Sequence, residues 1–157
     1  MLKNKSIKTF LFIVVCAGVG MLIPRFLCIS ETDSMKYHLF VLRPFQTGIQ
    51  TGIIVSYPHS DAVTNNKTIS MLKRVACSAG QHLKADATNR EYYCDGKYLA
   101  RAKTHSAKGA AVQNFLFDGI IPEGKFFALA PHIDSYDSRY YGLVDTSSVT
   151  GVFYPLL

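Results

Sequence analysis

Charge is scarce in this chain, and absent from Thr9 to Pro24. Of 157 residues, 18% are charged and 48% hydrophobic, a balance that excludes a disordered chain. Seventeen Lys and Arg outnumber eleven Asp and Glu, for a net charge of +6. Yet no run of five or six basic residues occurs, and no aromatic–basic RNA motif. The sequence therefore offers no footprint for a nucleic acid, and a basic surface beside an anionic bilayer explains the excess better. Internal repeats are lacking. The spacings Cys77…Cys94 and His82…His105 fit no zinc pattern, so neither a metal nor a cofactor is expected. The length predicts a single domain with one core.

What is present begins with Lys3, Lys5 and Lys8, followed by a charge-free run from Thr9 to Pro24. A bilayer core needs roughly 17–25 apolar residues. Phe26–Ile29 can extend the run if Arg25 snorkels toward the headgroups. No small-x-small cleavage site follows, and Val14–Val15 lacks the small residue expected before a lipidated Cys16. The segment reads as an uncleaved transmembrane helix, with a cleaved signal peptide as the rival. The lysines would stay in the cytoplasm. That divides the chain into a cytoplasmic N-terminus and anchor over 1–29 and an exported domain over 30–157. Cys16 and Cys28 then belong to the anchor as apolar residues. Cys77 and Cys94 lie in the exported part, where disulfides persist. A disulfide is the stronger reading there than a catalytic thiol, because no setting singles out one of the five histidines.

The exported part reads as mainly β. Residues 52–57 are rich in β-branched side chains, and Pro58 is expected to end that strand. Residues 71–77 and 125–130 predict further strands, and 144–154 could close the sheet. Asp95-Gly96, between 91–94 and 97–100, is the strongest hairpin signal. Residues 59–66 and 100–113 read as connections, and no amphipathic helix stands out beyond the anchor.

Two residues carry the candidate chemistry. Ser34 follows the anchor in Thr32-Asp33-Ser34-Met35, and Lys73 lies in Met71-Leu72-Lys73-Arg74-Val75. Serine is a weak nucleophile until a neighbour takes its proton. A lysine can do so only if burial strips its charge near neutral pH. In an extended strand Lys73, Val75 and Cys77 share one face, while Leu72 and Arg74 share the other. That places Lys73 inside and Arg74 outside. Strand lysines are more often solvated and lone serines usually idle, so the pair alone would carry little.

The wider pattern resembles the type I signal peptidases, a family of Ser/Lys peptidases. Ser34-Met35 matches their serine box after a membrane segment. Gly52-Ile53-Ile54-Val55 resembles the next box, with isoleucine where aspartate is usual. Leu72-Lys73-Arg74-Val75 matches the lysine box, although Gly80-Gln81 replaces a Gly-Asp pair. Ser135-Tyr136-Asp137-Ser138-Arg139-Tyr140-Tyr141-Gly142 matches the last box at every fixed position. Lys36 stands where proline is usual, and Ala130–Asp134 replaces Gly-Asp-Asn-Arg-Asp. These departures look more like the TraF-like peptidases of conjugative plasmid transfer.

The resemblance implies a signal-peptidase-like β-rich catalytic domain with one N-terminal transmembrane helix. It implies that Ser34 is the nucleophile and Lys73 the base. Thr32 and the Ser34 N–H would serve the oxyanion, Ser135 would orient the Lys73 amine, and Asp137 and Arg139 would brace that corner. His132 is a weaker candidate base. Leu39–Leu42 could line the cleft, touch the bilayer or simply pack. The expected protein is a serine endopeptidase on the periplasmic face of a bacterial inner membrane. Its partners would be that membrane and a protein substrate, a leader-bearing or pilin precursor, cut or cyclised during conjugative transfer. The alternatives are a housekeeping type I signal peptidase and an inactive scaffold of a transfer apparatus.

Overall fold

Alternating burial along residues 69–78 sets the architecture. Met71, Lys73, Val75 and Cys77 point inward, while Arg74 is exposed and Leu72, Ala76 and Ser78 are half-buried. The computed structural model describes residues 2–30, 34–44, 48–106 and 109–156. In chain order they form α1 (Leu2–Phe26), β1 (Leu27–Ile29), β2 (Leu39–Leu42), β3 (Ile54–His59), β4 (Ile69–Ser78) and β5 (His82–Asp86). There follow β6 (Glu91–Cys94), β7 (Lys97–Arg101), β8 (Asp118–Ile120), β9 (Lys125–Leu129), the single turn α2 (Ser138–Tyr141), β10 (Val144–Asp145) and β11 (Gly151–Pro155).

The strands make two sheets, one of seven in the order β1-β2-β11-β3-β4-β9-β10 and one of four in the order β7-β6-β5-β8. Every pairing is antiparallel. β9 divides the core. Phe126 and Ala128 face Val55, Tyr57 and Val75 on one side, while Phe127 and Leu129 face Leu83, Tyr92 and Ile121 on the other. A disulfide between Cys77 and Cys94, with Cα atoms 5.7 Å apart, ties β4 to β6 and so joins the two sheets. The hairpin at Asp95-Gly96 has both residues at positive φ, 47° and 77°, as a type I′ turn requires.

Several elements depart from the sequence expectation. Leu27–Ile29, expected to prolong the anchor, instead pair with Val41–Leu39 as an edge strand. Among the described residues no helix is long and apolar enough to cross a membrane, although Phe10–Val15 of α1 are all exposed and apolar. β3 runs through Pro58 to His59, paired with β4 alone beyond Ser56 because β11 has ended. A strand with one open side tolerates a residue that has no N–H to donate. Residues 144–154 do not close the sheet at one edge: β10 lies on the margin, and β11 is inserted between β2 and β3.

Candidate active site

Lys73 sits mid-strand on β4 with 5% of its surface exposed. Its Nζ donates to Ser135 Oγ at 3.0 Å, and among the described residues no carboxylate forms an ion pair with it. Burial holds the amine below the ordinary lysine range; Asp137 raises it somewhat and Arg139 lowers it. A charge that has lost its water and gained no counter-ion gives up its proton more readily.

Ser34 lies between β1 and β2. The next residue, Met35, is 3% exposed and packs with Phe40, Ile54 and Ala130. The Ser34 carbonyl accepts a bond from the His132 N–H at 3.3 Å. An apolar anchor and a backbone tie thus fix this segment beside the loop that follows β9. Ser34 and Lys73 line the same cleft of about 690 Å³, together with Ser56, Met71 and Tyr136. Thr32 lies outside the described residues.

The last sequence block forms a buried brace. Asp137 and Arg139 are 0% and 1% exposed. The Asp137 carboxylate accepts Arg139 Nε and Nη2, each at 2.8 Å, and the Ala130 N–H at 3.1 Å. Arg139 also donates to the carbonyls of Arg101, His132 and Ser135 at 3.0–3.2 Å. The pair therefore holds the backbone on both sides of Ser135. Ser138 Oγ accepts the Ala128 N–H at 2.9 Å, securing the turn to β9. Gly142 ends it at φ 88°, where a Cβ would meet the Phe115 ring at 2.9 Å.

Sequence reasoning missed a second tie. The Asp61 carboxylate, in the connection after β3, accepts from the Tyr136 hydroxyl and bonds His59 Nε2 at 2.8 Å. These bonds outweigh partial desolvation and hold the acid down to about 2. Tyr136 occupies the variable position of the Ser-x-Asp-Ser-Arg block, and its partner lies 75 residues away, so no local signal could expose the pair. His132 does not line the cleft; its Nδ1 accepts the Asp134 N–H at 3.1 Å. Leu39–Leu42 are strand residues of the sheet, with Phe40 fully buried.

This arrangement can deliver a hydroxyl and a poorly solvated amine to one cleft. The family model for signal peptidase, peptidase S26, matches residues 4–155. The chain belongs to that family. It is a serine endopeptidase of the signal peptidase type, one that cleaves leader peptides, on a mainly β fold. No curated protein matches the peptidase in sequence. Among solved structures, a signal peptidase I from Enterococcus faecalis V583 is 23% identical, covers 68% of this chain and 97% of its own, and superposes with a TM-score of 0.42.

Proposed function

We propose that Ser34 and Lys73 are the catalytic dyad of a membrane-anchored peptidase that matures a precursor in conjugative transfer. The observation that carries this reading is the buried Lys73 amine, bonded to Ser135 and unpaired with any described carboxylate, in the wall of the cleft that Ser34 lines. Neutral Lys73 takes the proton of Ser34 Oγ as that oxygen attacks the scissile carbonyl, then delivers it to the departing amine. The Ser34 N–H and the Thr32 hydroxyl donate to the developing oxyanion. Ser135 keeps the amine aimed. Water, or the substrate's own amino group, then opens the acyl-enzyme, giving a linear or a cyclic product.

The substrate is an extended segment of a protein precursor. Residues 69–72 of β4 pair with β3 alone, since β9 begins its pairing at Arg74. That leaves an open strand edge at the cleft for a chain to lie against. The lysines before Thr9 and the apolar run after them support an anchor in a bacterial inner membrane that ends before β1, with the sheet from Leu27 onward on the periplasmic face. Lys36 and the Ala130–Asp134 segment support the conjugative branch.

The test is to express the full chain with pilin precursors and with general secretory precursors, and to read new termini by mass spectrometry. A cut or cyclised pilin precursor, lost with Ser34→Ala and with Lys73→Met, is the expected result. Cleavage confined to secretory precursors would move the protein to housekeeping work. Loss of cleavage in neither variant would refute the dyad.

A further inference from the structure

A second cavity, of about 560 Å³, lies where the cleft ends. Along β4 the cleft is lined by residues 69–73 and the cavity by residues 74–76. Its other walls come from β7 and from Ala130, Pro131 and Ile133. The last two flank His132, whose N–H holds the Ser34 carbonyl. The cavity therefore adjoins both the base strand and the nucleophile segment.

Its chemistry is one-sided. Arg74, Lys97, Arg101 and Arg139 all line it, and no Asp or Glu does among the described residues. Two of these charges are answered locally, Arg101 by Glu91 at 2.6 Å and Arg139 by Asp137 at 2.8 Å. No carboxylate pairs with Arg74 or Lys97 among the described residues. The cleft on the other side differs: Ile29, Val63, Ile69, Met71 and Leu72 line it together with uncharged hydroxyl side chains, and among the described residues Lys73 is its only basic one.

We infer that the cavity receives the residues just after the scissile bond and favours Asp or Glu among them. The inference rests on the proposed dyad, because a chain cut at Ser34 must leave the cleft on one side and enter the cavity on the other. An apolar leader suits the aliphatic wall of the cleft. With the leader in the cleft, the cavity is left to the segment beyond the cut. Complementary charge at a partly solvated site chiefly steers and selects.

The experiment uses full-length protein in neutral detergent and a set of peptides that differ only in the three residues after the bond. Each exposed pair is worth a few tenths to one kcal/mol, so acidic peptides should exceed neutral ones in kcat/KM by about fivefold. The ratio should fall toward one at 1 M salt, where the Debye length is about 3 Å. Lys97→Glu should invert the preference toward lysine. Equal kcat/KM across the set, or an unchanged ratio in Lys97→Glu, overturns the inference while leaving the dyad intact. Anisotropy of a labelled acidic product peptide on the Ser34→Ala protein decides the matter without turnover: tighter binding than its neutral counterpart supports the inference, and equal binding overturns it. Lys97-dependent flotation with phosphatidylglycerol vesicles but not phosphatidylcholine vesicles, with no peptide discrimination, would assign the cavity to the membrane surface instead.

Discussion

Changing Asp137 to asparagine keeps the side chain's shape and removes its charge. In the native protein the carboxylate receives two guanidinium bonds at 2.8 Å and the Ala130 N–H at 3.1 Å, all out of water. In Asp137→Asn the guanidinium of Arg139 stays buried opposite a neutral amide. Breaking one partner of such a pair costs about 3–5 kcal/mol. A chain of this length loses about 2–4 °C per kcal/mol, so the melting temperature should fall by about 6–20 °C. Arg139→Met should fall comparably, since it strands the Asp137 charge and the carbonyls of Arg101, His132 and Ser135. The double variant Asp137→Asn/Arg139→Met removes both charges together, so its loss should be smaller than the sum of the singles by about 2–3 kcal/mol. Thermal melts and urea titrations of the four proteins complete the cycle. Strictly additive losses would refute the claim that these residues act as one buried pair.

Lys73→Met should end cleavage and also raise stability by a few degrees, because methionine fills the space with no charge to desolvate. Linkage fixes the sign of the pH dependence: the depressed lysine penalises the fold fully below its folded pKa, and that penalty fades as pH rises toward 10.5. The advantage of methionine should shrink with it, and melts that show a constant advantage up to pH 10 would contradict the buried amine. Native activity should rise with pH as the amine deprotonates, read from kcat/KM profiles. Replacing Cys77 and Cys94 by alanine opens a link across 17 residues and should cost about 3 kcal/mol in urea unfolding. Tyr136→Phe removes a donor from Asp61, whose carboxyl should then titrate above its present value of about 2, as carboxyl NMR shifts would show.

The strands around the base were legible because their alternation is strict. Met71, Lys73, Val75 and Cys77 face inward as their spacing requires, and Asp95-Gly96 turns where its chemistry demands. The four-stranded sheet was half hidden: β5 (HLKAD) and β8 (DGI) are short and carry charged residues, so no apolar period marks them. Leu27–Ile29 misled because an apolar triplet suits either a helix end or a strand, and only its partner β2 decides. At the site, Ser135, Asp137 and Arg139 stood out through a sequence block whose family resemblance could be named. The Asp61–Tyr136 tie could not, because long-range side-chain meetings leave no trace in local order.

The position of β11 has a consequence for when the enzyme can work. Ser34 lies between β1 and β2, Lys73 lies on β4, and the sheet hydrogen bonds joining β2 to β3 run through β11. β11 follows β2, β3 and β4 in the chain, so the two halves stay unlinked in the sheet until residues 151–155 have been made and paired. Loss of this one strand would therefore part the nucleophile's half of the sheet from the base's half without touching either residue.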